Sequence, residues 1–202
     1  MAERYQRQGA FANLHLAARL SGAEAAAGVK LSDGGFLGQL LLRGSGDGPF
    51  RMAAVGALMT ALPLEPNRSS EREGMRVLWL GPDEWLVVAA EEKLGGLARA
   101  LAEQLAGQSF ALVDVSEARA VIGLAGPAVR DVLSQGTSLD LHPRAFAPGH
   151  VAQTLLARMP VILHQRSAEP HYDIYVQRSL AEYLWRWLED AAHDCGAAVV
   201  AG

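Results

Sequence analysis

The sequence predicts an α+β protein made of two ferredoxin-like β-α-β-β-α-β halves packed together. Three observations carry that expectation. Residues 36–115 read as strand, helix, strand, strand, helix, strand. Residues 118–200 repeat that order of elements without repeating the residues themselves. The joints carry turn chemistry, Gly81-Pro82-Asp83-Glu84 in the first half and Gly126-Pro127 in the second. The predicted organisation is an N-terminal arm over 1–35, a first half over 36–116 and a second half over 117–202, forming one compact unit.

Residues 1–30 are Ala-rich with weak helical periodicity, and an irregular or partly helical arm is expected there. A first strand over 36–42 ends in the Gly44-Ser45-Gly46-Asp47-Gly48 turn. That turn lacks a following Lys-Ser/Thr and any dinucleotide spacing, so it reads as a connector. A helix over 50–62 is closed by Pro63 and Pro66 and leads into a polar loop over 67–74. Two short apolar strands, 76–80 and 85–89, flank the Gly81-Pro82 turn. Leu94, Leu97, Ala98, Leu101 and Leu105 mark a helix at i, i+3, i+4, i+7 and i+11. A strand over 110–115 completes the first half.

The second half opens with a strand over 119–125, broken by Gly126-Pro127. Pro127 suits the first turn of a helix, because its missing N–H would be unsatisfied there. Val129, Val132 and Leu133 give that helix an apolar stripe, and Gly136 is expected as a left-handed cap. Residues 151–158 and 161–165 form the next strand, with Pro160 marking a bend or bulge, and 172–178 alternates cleanly. Ser179 and Glu182 predict a capping box for a helix over 180–192. Residues 197–200 form the expected closing strand.

Half of the 202 residues are hydrophobic and one-fifth are charged, which excludes a disordered chain. The net charge of −4 makes nucleic acid and anionic membrane unsuitable partners. The single Cys195 excludes an internal disulfide and fits a reducing compartment. The start is polar, and Arg19 and Glu24 interrupt the Ala-rich stretch, so no secretory signal is expected. The apolar run over 52–64 is too short to span a bilayer and contains Pro63. A cytoplasmic protein without membrane contact is expected.

Histidines at 15, 142, 150, 164, 171 and 193 show no metal-ligand spacing, and no metal site is expected. No GxSxG elbow is present, and Asp114 with Ser116 reads as a turn. Asp140 and Arg144 are expected to pair locally and shape the loop over 137–149. On the last helix, Tyr183, Leu184, Trp187, Leu188 and Ala191 fall on one face and Trp185 falls off it. A tryptophan outside the core stripe suits a protein interface. Trp185, with Asp140, His142 and Arg144 of the loop, is therefore the expected partner-facing set. No catalytic or cofactor-binding residue is expected.

Several segments together carry a family resemblance. They are Asp114-Val115-Ser116, Val121 to Pro127 (VIGLAGP), Asp140-Leu141-His142-Pro143-Arg144, Ala152-Gln153-Thr154, Val161-Ile162-Leu163-His164 and Tyr183-Leu184-Trp185-Arg186-Trp187-Leu188. The chain resembles the gamma subunits of heterotetrameric sarcosine oxidases, over roughly residues 30–190. More distantly, the Gly-Pro step and its helix look like the folate-binding domain of aminomethyltransferases. The resemblance implies a structural subunit of a complex that demethylates sarcosine oxidatively to glycine, releases peroxide and passes the one-carbon unit to tetrahydrofolate. It implies a larger alpha flavoprotein subunit as partner, with beta and delta subunits, and FAD, FMN, NAD and tetrahydrofolate on those partners. Two alternatives stay open. One is a stand-alone folate-binding or aminomethyl-transfer enzyme, with Asp114, Arg119 or Asp140 meeting the pterin. The other is a subunit of a related N-methyl-amino-acid dehydrogenase complex. Aminomethyltransferases carry a Gly followed by acidic residues where this chain has Ala157-Arg158-Met159-Pro160-Val161, which argues against folate chemistry here.

Overall fold

The computed structural model describes residues 7–20 and 27–202. In the first half, β2 (Leu37–Gly44), α1 (Gly48–Leu58), β3 (Ser69–Arg72), β4 (Met75–Gly81), β5 (Glu84–Ala90), α2 (Glu91–Gln104) and β6 (Phe110–Asp114) follow in order. Their strands form a five-stranded sheet in the order β3-β4-β5-β2-β6. All of its pairs are antiparallel. Omitting the edge strand β3, this is the ferredoxin-like arrangement, with the first and third strands of the unit at the centre. Asp47 caps α1 by accepting a hydrogen bond from the Phe50 N–H at 3.2 Å. A side chain at Gly44 would fall 2.0 Å from the Phe50 ring, so only glycine lets that ring seat on the strand.

The second half contains β7 (Arg119–Ala125), α3 (Val129–Ser134), β8 (Val151–Leu156), β9 (Met159–Ser167), β10 (His171–Gln177), α4 (Ala181–Ala191) and β11 (Ala197–Val200). Its sheet has six strands, in the order β11-β1-β7-β10-β9-β8, where β1 is Val29–Asp33. The additional strand is β1 (Val29–Asp33), from the segment assigned above to the N-terminal arm. It lies antiparallel to β7 and parallel to β11, prising apart the first and last strands of the unit. Val29 and Leu31 are fully buried while Lys30 and Ser32 alternate with them, which is a strand pattern only five residues long. Gly126 adopts φ +127°, and a side chain there would meet the Gly28 carbonyl oxygen at 2.5 Å. Ahead of β1, Phe11 and Leu14 are buried in the second half's core. Residues 1–6 and 21–26 of the predicted arm lie outside the described residues.

Two sheets and two helix pairs stack in four layers. α1 and α2 cover the outer face of the five-stranded sheet through Phe50, Ala54, Leu58, Leu94 and Leu101. α3 and α4 cover the outer face of the six-stranded sheet through Val129, Val132, Leu133, Leu184 and Leu188. Between the sheets lie Leu78, Leu80, Leu86 and Val88 from one and Val121, Val151, Ile162 and Tyr175 from the other. The central strands are buried on both faces, which explains their near-continuous apolar runs.

Several local expectations are corrected. α4 begins at Ala181 after a 3₁₀ turn, its N-cap is Leu180 and no described side chain caps it. Glu182 instead accepts from Asn13 at 2.7 Å, so the capping box does not form. Gly136 is not left-handed; a side chain there would lie 2.5 Å from the Trp187 ring, and close approach is what requires glycine. Pro160 sits inside β9 opposite Leu155, after a tight turn in which Ala157 and Arg158 both have positive φ.

Candidate functional site

Charged and polar side chains meet between the two sheets. Asp173 of β10 is 5 % exposed, and its Oδ2 accepts hydrogen bonds from Arg76 of β4 and, at 3.1 Å, from Arg166 of β9. Arg166 also donates to Glu71 of β3 at 2.7 Å. The four residues form a network tying β3 and β4 of one sheet to β9 and β10 of the other. Each charge has an opposite neighbour, the condition under which charges tolerate burial.

Beside this network, Ser69, His164 and Asp173 bring together a hydroxyl, an imidazole and a carboxylate. The wiring is not that of a nucleophile. Ser69 Oγ donates to the Gly149 carbonyl at 3.0 Å, and His164 Nε2 lies 2.9 Å from the same Oγ. With the hydroxyl proton spent on Gly149, Nε2 is the donor to Oγ, and the imidazole lone pair sits on Nδ1. Nδ1 is buried without a partner among the described residues, and Asp173 holds the two arginines and not the ring. Burial pushes the His164 pKa down to about 4, so the ring stays neutral. A serine nucleophile needs the reverse arrangement, an imidazole that accepts the hydroxyl proton and a carboxylate that holds its other nitrogen.

The second candidate is an open groove of about 1130 Å³ on the inner face of the six-stranded sheet, lined by Arg119, Gln153, Leu155, Ile162, Tyr175 and Gln177 among others. Its lining mixes the apolar Leu155, Pro160 and Ile162 with the polar or charged Gln153, Gln177, Arg119 and Arg178. The Tyr175 hydroxyl is buried with no partner among the described residues, and burial pushes its pKa up.

Of the expected partner-facing residues, Asp140, His142 and Arg144 are exposed on one loop, held down by buried Leu141 and Phe146. The expected Asp140–Arg144 ion pair is replaced by bonds to backbone. Asp140 accepts from the His142 N–H at 2.9 Å, and His142 Nδ1 accepts from the Arg144 N–H at 3.3 Å. Trp185 is corrected outright: it is fully buried, and the stripe that faces the core is Ala181, Leu184, Trp185, Leu188 and Ala192. Tyr183, expected inside, is 62 % exposed, and Trp187 is half-buried over Gly136. Asp114 accepts from the Ser116 N–H and hydroxyl at 2.9 and 2.6 Å, the turn that the sequence suggests.

The inter-sheet network was missed in the sequence, although one sign of it is visible. In the strand His171-Tyr172-Asp173-Ile174-Tyr175-Val176, alternation puts Asp173 on the same face as Tyr175. A carboxylate inside such a strand needs a partner, but nothing local says that Arg76, 97 residues away, supplies it. Among the described residues, no three His, Cys, Asp or Glu side chains converge on a possible metal site. No helix among them is long and apolar enough to cross a membrane.

With this geometry in place, the comparisons with known proteins are specific. The sarcosine oxidase, gamma subunit family matches residues 43–194. The sarcosine oxidase subunit gamma of an Arthrobacter species is 35 % identical over 188 residues, covering 93 % of this chain and 91 % of that protein. Among solved structures, a chain of the heterotetrameric sarcosine oxidase from Corynebacterium sp. U-96, in complex with pyrrole 2-carboxylate, superposes with a TM-score of 0.83 at 33 % identity. That match covers 95 % of this chain and 97 % of the other. The glycine cleavage system aminomethyltransferase T from Bartonella henselae matches with a TM-score of 0.69 at 16 % identity, over 96 % of this chain and 59 % of that one. The last match is a likeness of fold alone.

Proposed function

The chain belongs to the sarcosine oxidase gamma subunit family, and from that premise we propose that it is a non-catalytic structural subunit of a heterotetrameric sarcosine oxidase. In this reading a larger alpha flavoprotein subunit is its main partner, beta and delta subunits complete the complex, and FAD, FMN, NAD and tetrahydrofolate are bound by those partners. They demethylate sarcosine to glycine, release peroxide and hand the one-carbon unit to folate. The cytoplasm is the proposed compartment, in keeping with the single Cys195.

One observation within the chain carries the non-catalytic part. At the inter-sheet cluster, Asp173 is spent on two arginines, and Ser69 on the Gly149 carbonyl and the His164 ring. Groups committed to holding two sheets together are not available to move protons at a substrate. The test is co-expression of the full chain with the other subunits of the complex, one of them tagged. The chain is expected to co-purify in fixed stoichiometry, and sarcosine-dependent peroxide is expected only when the partners are present. Purified alone, the chain should be colourless and inert toward sarcosine. Turnover of sarcosine or transfer of a one-carbon unit to tetrahydrofolate by the isolated chain would overturn the proposal.

A further inference from the structure

The register of the six-stranded sheet sorts its inner face into cross-strand rows. Gln153, Ile162, Tyr175 and Val121 make one row, and the five-stranded sheet roofs its Ile162, Tyr175 and Val121, while Gln153 at the edge stays exposed. Gln153 Nε2 reaches across to the Leu80 carbonyl at 2.7 Å. The next row contains Leu155 opposite Pro160 and Gln177 opposite Arg119. No such roof covers it: Leu155 is 57 % exposed, and Pro160 and Gln177 are also exposed. This row forms the bare part of the groove.

Charge at the row's end is unbalanced. Glu117 is shared by Arg7 and by Arg178, the latter at 3.2 Å, while Arg7 also takes Glu91. Arg119 is partly buried, and no described carboxylate lies within salt-bridge distance of its guanidinium. Burial lowers its pKa, with the more distant Glu84 opposing that shift. Glu84 itself lies 3.7 Å from Arg43. A chain with a net charge of −4 thus keeps a locally positive rim beside an apolar strip. Arginine flanked by apolar surface is the composition of an interface centre, and a carboxylate is the group that offsets such a desolvated guanidinium.

We propose that the bare row of Leu155, Pro160, Gln177 and Arg119 is the docking site for a partner subunit, which covers the apolar strip and presents an Asp or Glu to Arg119. This rests on the assembly reading above and names the surface through which assembly occurs.

The test uses full-length chains and the co-expressed larger subunits. R119E and L155R should melt with the wild type when isolated, yet bind the larger subunits ~30-fold or more weakly. R51E, on the exposed side of α1 across the molecule, should bind as the wild type does. In an R119K complex treated with a carbodiimide, a cross-linked peptide joining position 119 to an acidic residue of a larger subunit is expected. Wild-type affinity in both R119E and L155R overturns the docking site and leaves the assembly reading intact. Failure of the wild type itself to assemble overturns both. If the isolated chain dimerises and the same two substitutions dissociate it, the groove belongs to a second copy and the proposal falls. Should R119E fail to fold, L155R decides, since its side chain already lies mostly in solvent.

Discussion

The rings of Phe11 and Trp185 lie with their centroids 5.1 Å apart and their planes at 52°, joining the two ends of the chain in one core. Phe11 is 3 % exposed and Trp185 fully buried. Replacing Trp185 by Ala should therefore cost about 3–5 kcal/mol of stability by leaving a cavity, read as a shift in the denaturant midpoint at constant slope. Trp185→Phe should cost much less, because the indole N–H has no acceptor among the described residues and its removal breaks no hydrogen bond. Tyr183→Ala, on the exposed side of the same helix, should change stability by no more than about 0.5 kcal/mol.

The inter-sheet ion network makes a second prediction. Asp173→Asn removes the carboxylate between Arg76 and Arg166 and leaves Arg76 buried with no counter-charge, at a cost of about 3–5 kcal/mol. The double change Arg76→Met with Asp173→Leu should recover most of that loss, since Arg166 keeps Glu71. Equal instability of the single and double variants would show that the buried pair is not the source of the effect.

A third prediction follows from His164, whose folded pKa is pushed down to about 4 by burial. Its unfolded value is about 6.5, so between those limits the unfolded chain binds a proton that the folded chain refuses. The neutral ring's contribution is complete above about pH 6.5. It is lost as the pH falls toward 4, by about 3 kcal/mol in all. His164→Gln retains a donor toward Ser69 and should flatten the stability profile over that window. An unchanged slope in the variant would assign the acid sensitivity to other groups.

The β8–β9 turn is strained in a correctable way. Ala157 and Arg158 have φ of 50° and 69°, a conformation that costs side chains other than Asn and Gly. Replacing the pair by Asn-Gly keeps the Ala157 N–H bond to the Gly136 carbonyl and should raise stability by about 0.5–1 kcal/mol. A lowered melting temperature in that variant would mean that the Arg158 side chain contributes more than the backbone strain costs.

The sequence by itself determined most of the elements and where they join, because those features are written in local patterns, although β3 formed where a polar loop was expected. Alternation placed β10, the i, i+3, i+4 spacing placed α2, and glycine with proline placed the joints. Family membership was legible in the segments around Val121 to Pro127 and Tyr183 to Leu188, and a match over residues 43–194 shows it. Three features were decided only in tertiary structure. Val29 to Asp33 became an internal strand because β7 and β11 flank a slot for it, a fact absent from its own five residues. The buried face of α4 was ambiguous because Leu184 and Leu188 fit two adjoining stripes. Phe11 draws Trp185 inward, while Gly136 makes room for only part of Trp187. The partners of Asp173 and His164 lie about 95 residues away on the facing sheet, as Arg76 and Ser69. Local propensity acts over a few residues, and the burial that selects among its allowed outcomes depends on elements that meet only in the folded chain.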